Sequence, residues 1–126
     1  MSEPLVGVVV SHAALAAGLV EAVRQITGEQ QDLVPVSNEG CDSGLLTQRL
    51  MEAIGRRPSV VFVDLPGGSC LHAAVRQMRS SPDVAVVAGV NLAMLLDFVY
   101  HRDLSPAAAA KRAVETGERA VRAIQL

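Results

Sequence analysis

At 126 residues, half of them hydrophobic and 19% charged, the chain suits one compact domain over 1–126 and lacks the composition of a disordered segment. A net charge of −2 and an aromatic content of 2% supply neither the positive potential nor the stacking platforms that DNA, RNA or an anionic membrane would need. Two cysteines without a CxxC spacing, no basic leader and no apolar run of roughly 18–20 residues lead to the expectation of a cytoplasmic protein with reduced thiols.

Leu5 to Ser11 is a continuous, mostly β-branched run, too short for an ordinary helix, and reads as a strand buried on both faces. Ala13 to Thr27 follows with Leu15, Leu19, Val23 and Ile26 at helical spacing, closed by Gly28. Asp32 to Val36 is a second short strand. A polar loop over 38–43, with Asp42 and Ser43 as candidate caps, leads into a helix over about 44–55 striped by Leu46, Leu50 and Ile54. Pro58 precedes a third strand, Ser59 to Asp64, and a helix follows over 69–80 with Leu71, Ala74, Val75 and Met78 as its apolar face. Val84 to Ala88 is the fourth strand, and Leu92 to His101 an apolar helix. Ser105 and Pro106 then cap and start a last helix running to about Ile124.

Strict alternation of strands and helices predicts a single-domain α/β fold: an open sheet of about four parallel strands in the order 2-1-3-4, with helices on both faces. Ligands of such sheets bind beyond the carboxyl ends of the strands, where the strand order reverses. His12 follows the first strand and Asp64 ends the third, so that order brings both over one crevice. A carboxylate beside a histidine holds the proton of one ring nitrogen, frees the other as a nucleophile and offsets the positive charge the ring gains when it reacts. Gly67 and Gly68 let backbone N–H groups approach an oxyanion, and Ser69 adds a hydroxyl at a helix start. The same residues also suit a structural histidine and an ordinary strand-to-helix turn.

The stretches GVVVSHAALAAGLVEAVRQITGE, VVFVDLPGGSCLHAA, VAVVAGVNLAML and AVETGERAVRAI, in that order, resemble the mannose-family IIA domains of the bacterial phosphoenolpyruvate-dependent sugar phosphotransferase system. The resemblance covers nearly the whole chain. It implies a phosphotransferase with a phosphohistidine intermediate: His12 takes a phosphoryl group from phospho-HPr and passes it to a IIB domain, for sugar uptake through a membrane IIC/IID complex or for regulatory signalling. It makes Asp64 the orienting carboxylate, puts Ser69 with Gly67 and Gly68 against the phosphoryl oxygens, and leaves Asn91 as a candidate behind the site. No cofactor beyond the phosphorylated partner is implied.

Four positions depart from the family pattern. Thr-His-Gly becomes Ser11-His12-Ala13, so Ser11 is expected to act for the threonine at the phosphoryl group. Gly-Gly-Ser-Pro-x-Asn becomes a run from Gly67 to His72, which introduces Cys70 and His72. His72 faces either the phosphoryl group or solvent, and Cys70 is a redox-sensitive thiol or simply a small residue at a helix start. Leu15, Leu65 and Leu71 form an apolar docking rim or lie in the core, with burial the expectation for leucines of a helix stripe. A homodimer is expected from the Ala-, Leu- and Val-rich final helices, with little chain left for the strand exchange some relatives use.

Two other readings compete: a binding module that keeps the fold without transferring phosphate, and the phosphoryl-donor subunit of dihydroxyacetone kinase, whose second motif differs. A metal site made of His12, His72 and Asp64 lacks close ligand spacing and a fourth ligand, so no metal is expected.

Overall fold

The computed structural model describes residues 3–28 and 32–125. The strands are β1 (Val6–Ser11), β2 (Leu33–Ser37), β3 (Ser59–Val63) and β4 (Val84–Ala88); the helices are α1 (Leu15–Thr27), α2 (Ser43–Ile54), α3 (Gly68–Ser80), α4 (Leu92–Val99) and α5 (Pro106–Ala120). All strand pairings are parallel, and the order is β2-β1-β3-β4, as the alternation predicts.

The two central strands are buried at every position. Their side chains alternate between two cores, which is why both read as unbroken apolar runs rather than as alternating ones. Val9, Val60 and Phe62 pack under α1, α4 and α5 with Val20, Leu95 and Phe98. Val8, Val10, Val61 and Val63 pack on the opposite face under α2 and α3 with Leu46, Leu50 and Ala74. Phe62 and Phe98 meet edge to face with ring centroids 5.3 Å apart. Gly7 makes room for this layer: a Cβ there would lie 2.7 Å from the Phe98 ring and 2.6 Å from Leu33.

β2 is an edge strand and carries Pro35, which an interior strand would not accommodate. Asp42 caps α2 by accepting the Leu45 N–H at 2.8 Å, and Ser105 caps α5 ahead of Pro106, as expected.

Three expectations are corrected. On α1 the buried residues are Ala16, Val20 and Val23, while Leu15 and Ile26 are exposed. On α3 they are Cys70, Ala73 and Ala74, while Met78 is exposed; small side chains let this helix lie close to the sheet, and its longer apolar residues are left at the margin. The last helix stops at Ala120 rather than near Ile124. Its buried positions are Ala109, Ala113 and Gly117, and the next turn finds nothing to pack against, so the backbone is extended at Val121. Val121 and Ile124 are 75% and 78% exposed.

Candidate active site

The sheet order makes β1 and β3 neighbours, and their last paired residues are Val10 and Val63. The chain leaves β1 through Ser11 to His12 and leaves β3 directly at Asp64, so the two side chains meet above the carboxyl edge. Asp64 Oδ2 accepts the backbone N–H of His12 at 2.9 Å and faces the ring Nδ1 at 2.8 Å; Oδ1 accepts the Leu65 N–H at 3.0 Å. An ionised carboxylate only accepts, so Nδ1 carries the proton and Nε2 keeps its lone pair. The carboxylate is 8% exposed and the imidazole 47% exposed, so a sheltered anion holds an accessible ring. Burial pushes the Asp64 carboxyl up, but the His12 N–H, the His12 ring with its charge and the Leu65 N–H outweigh it, and the group is held below the ordinary carboxylate value.

The turn after His12 is built by the neighbouring strand. Ala13 has a φ of +50°, a left-handed conformation that favours glycine. Asn38 accepts the Ala13 N–H at 3.3 Å, and the Ser37 hydroxyl donates to the Ala13 carbonyl at 2.8 Å, so the loop after β2 holds the turn against this strain. Ser37 and Asn38 were not flagged by sequence; the signal for them was that β2 also ends at the same sheet edge, next to β1.

Ser11, expected at the phosphoryl group, is fully buried. Its hydroxyl accepts the Ala16 N–H at 2.7 Å and donates to the His12 carbonyl at 3.1 Å, so it ties the turn to the start of α1. Asn91 caps α4 by accepting the Met94 N–H and donates to the Gly117 carbonyl at 3.2 Å.

Gly67, Gly68 and Ser69 are exposed and open α3. Gly68 has a φ of +86° with no atom within 4 Å of where a Cβ would sit, so backbone conformation rather than space calls for glycine here. No side chain caps this helix and no acidic residue occupies its first turn, which leaves its N–H groups available to an anion. Cys70 follows, fully buried; burial first, and then the Asp64 charge, push its thiol up, which disfavours a redox-sensitive thiolate and fits a small residue packed under the helix start.

His72 is exposed and lines a groove of about 680 Å³ with Thr47, Ser69, Leu71, Arg76 and Arg79. The groove runs from the glycine loop along α3. Leu15 and Leu65 flank the pair and are 50% and 55% exposed, so the expected burial of Leu15 does not hold; Leu71 is half-buried.

The parallel α/β sheet presents a histidine held by a carboxylate at the carboxyl edge that also carries an uncapped, glycine-rich helix start. Residues 7–115 match the EIIA-man family, described as PTS system fructose IIA component. The chain belongs to this family of phosphotransferase-system components, as the sequence resemblance implied. It is 30% identical over 125 residues to the PTS system mannose-specific EIIAB component of Escherichia coli, a match covering 94% of this chain and 39% of that protein. The chain thus spans about two fifths of the length of the curated relatives it matches. Among solved structures it is similar to the mannose/sorbose specific IIA subunit of Enterococcus faecalis (28% identity, TM-score 0.85, covering 98% of this chain and 97% of the other). It also shares the fold of the phosphotransferase system component EIIA of Streptococcus agalactiae (19% identity, TM-score 0.87, covering 94% and 96%).

Proposed function

We propose that the chain is a phosphoryl relay acting on its own His12. The observation that carries this is the Nδ1–Oδ2 contact of 2.8 Å between His12 and Asp64 at the ends of two adjacent parallel strands. The Nε2 lone pair attacks the phosphorus of phosphohistidine on HPr; the donor P–N bond breaks as the new one forms. The imidazole ring becomes cationic, and Asp64 offsets that charge without needing to take the proton. The N–H groups at the start of α3, with the Ser69 hydroxyl, face the equatorial oxygens of the transferring group. The reverse chemistry hands the group to a IIB domain.

The exposed Leu15 and Leu65 supply an apolar rim on which both partners dock in turn. Work of this kind is cytoplasmic, and membrane contact comes only through a IIC/IID complex. A homodimer completes the proposal: the exposed segment 121–125, extended at Val121, carries Val121 and Ile124 and is suited to bury itself on a second copy.

Incubation with phosphoenolpyruvate, enzyme I and HPr, followed by intact mass, tests the relay. One added, acid-labile phosphoryl group on the wild type and none on His12→Ala supports it. An unchanged wild-type mass beside fully phosphorylated HPr favours the module that keeps the fold without transfer.

A further inference from the structure

The start of α3 brings a third donor to the His12–Asp64 pair. One nitrogen of His12, one carboxylate oxygen of Asp64 and the Cys70 sulfur all lie within 4.8 Å of one another. His72, which the sequence offered as a ligand, is not in this group. The three donors come from the ends of β1 and β3 and from the first turn of α3, so the fold itself collects them. Cys70 reaches them from the core layer that holds Val8, Val10 and Val63, and one side of the cluster is therefore dry while the His12 side opens to solvent.

We propose that His12, Asp64 and Cys70 form a three-donor site for a thiophilic divalent cation of the zinc type, and that an occupied site holds the histidine out of phosphoryl transfer. The second half rests on the relay reading; the first does not.

The donor set decides the cation. A thiolate and an imidazole with one carboxylate suit zinc, whereas magnesium and calcium take all-oxygen sets. Bonds of about 2.0–2.3 Å in a tetrahedron place neighbouring donors roughly 3.3–3.7 Å apart, so side-chain movements of about an ångström close the site. The fourth position falls on the open side and takes water. Nδ1 already faces the carboxylate, so the cation replaces the proton between them; that proton and the thiol proton leave to solvent.

The consequence for transfer is electrostatic. Asp64 serves the relay by offsetting the charge His12 gains. With the cation between ring and carboxylate, that compensation is replaced by a like charge, and phosphorylation of Nε2 is opposed.

The test titrates Zn²⁺ and Co²⁺ into metal-free full-length chain. One ion per chain is expected, with a thiolate-to-cobalt charge-transfer band that survives Cys41→Ser and disappears in Cys70→Ser, where zinc affinity falls at least about 100-fold. Equal zinc affinity in wild type and a folded Cys70→Ser, or a wild-type cobalt spectrum without that band, overturns the site. If Cys70→Ser does not fold, the band in wild type and in Cys41→Ser decides alone. Labelling by phospho-HPr is then compared with and without Zn²⁺ for each protein. Zinc slowing the wild type by tenfold or more, with a much smaller ratio for Cys70→Ser, supports the block; equal ratios overturn it. Failure of the metal-free wild type to label speaks against the relay and leaves the cobalt result standing.

Discussion

His12 and Asp64 differ sharply in exposure. The carboxylate is sheltered and tied to two backbone N–H groups, so it does not wander with the ring it orients. Asp64→Asn keeps the size but offers no charge to a cationic ring, and phospho-HPr labelling is expected to slow about 10–100-fold in a stopped-quench assay. Asp64→Ala removes the acceptor for the His12 and Leu65 N–H groups and is expected to cost about 1–3 kcal/mol in urea unfolding at pH 7. The sign with pH follows from the lowered carboxyl. Its stabilisation is present above the ordinary value of 3.8 and is lost as pH falls through the lower folded value, so the gap between wild type and Asp64→Ala closes in acid. A gap that persists unchanged at pH 2–3 would sink this assignment. Ala13 is the other residue with a cost of its own. Left-handed backbone costs a non-glycine residue about 1–2 kcal/mol, while glycine loosens the unfolded chain by about 0.4–1 kcal/mol, so Ala13→Gly is expected to stabilise slightly. Destabilisation in the same unfolding assay would show that the turn is not strained.

At the scale of elements, β1 and β3 were legible because burial on both faces leaves an unbroken apolar run, and the residues that end such runs announce themselves. His12 and Asp64 came out of the sequence for that reason, and the loop from Gly67 to Ser69 with them. The helix faces were not legible in the same way. Leu15 and Leu46 look alike in sequence, yet one is 50% and the other 2% exposed. What separates them is the neighbour: Leu46 packs in one core with Val8 and Val10, whereas Leu15, the first residue of α1, belongs to neither core. Ser11 and Asn91 show that a small polar residue next to a site has two uses, since both satisfy backbone groups at helix starts here. If Leu15 and Leu65 are a docking rim, the double change to Ser raises the phospho-HPr concentration needed for half-maximal labelling about tenfold, leaves the rate at saturation near wild type and shifts stability by less than about 0.5 kcal/mol. An unchanged concentration dependence would remove them from the interface.

At the scale of the molecule, two cores on either side of one sheet account for the described fold, and residues 121–125 belong to neither. Removing the chain after Ala120 is therefore expected to leave the unfolding midpoint of the monomer nearly unchanged. The same deletion is expected to turn a dimer into a monomer in light scattering; a dimer that survives it would place the contact on the final helices instead.

Pro35 bears on what such association can become. The N–H of Asn38 points inward to the Ser11 carbonyl, so along β2 the alternation turns the odd-numbered residues outward, and the nitrogen of Pro35 sits on the free side of the sheet without a hydrogen to donate. The opposite margin, β4, has no proline. A sheet with one margin weakened has a preferred valence of one. Copies that join strand to strand close into a pair at the proline-free margin more readily than they add end to end, because pairing on β2 forgoes the Pro35 hydrogen bond.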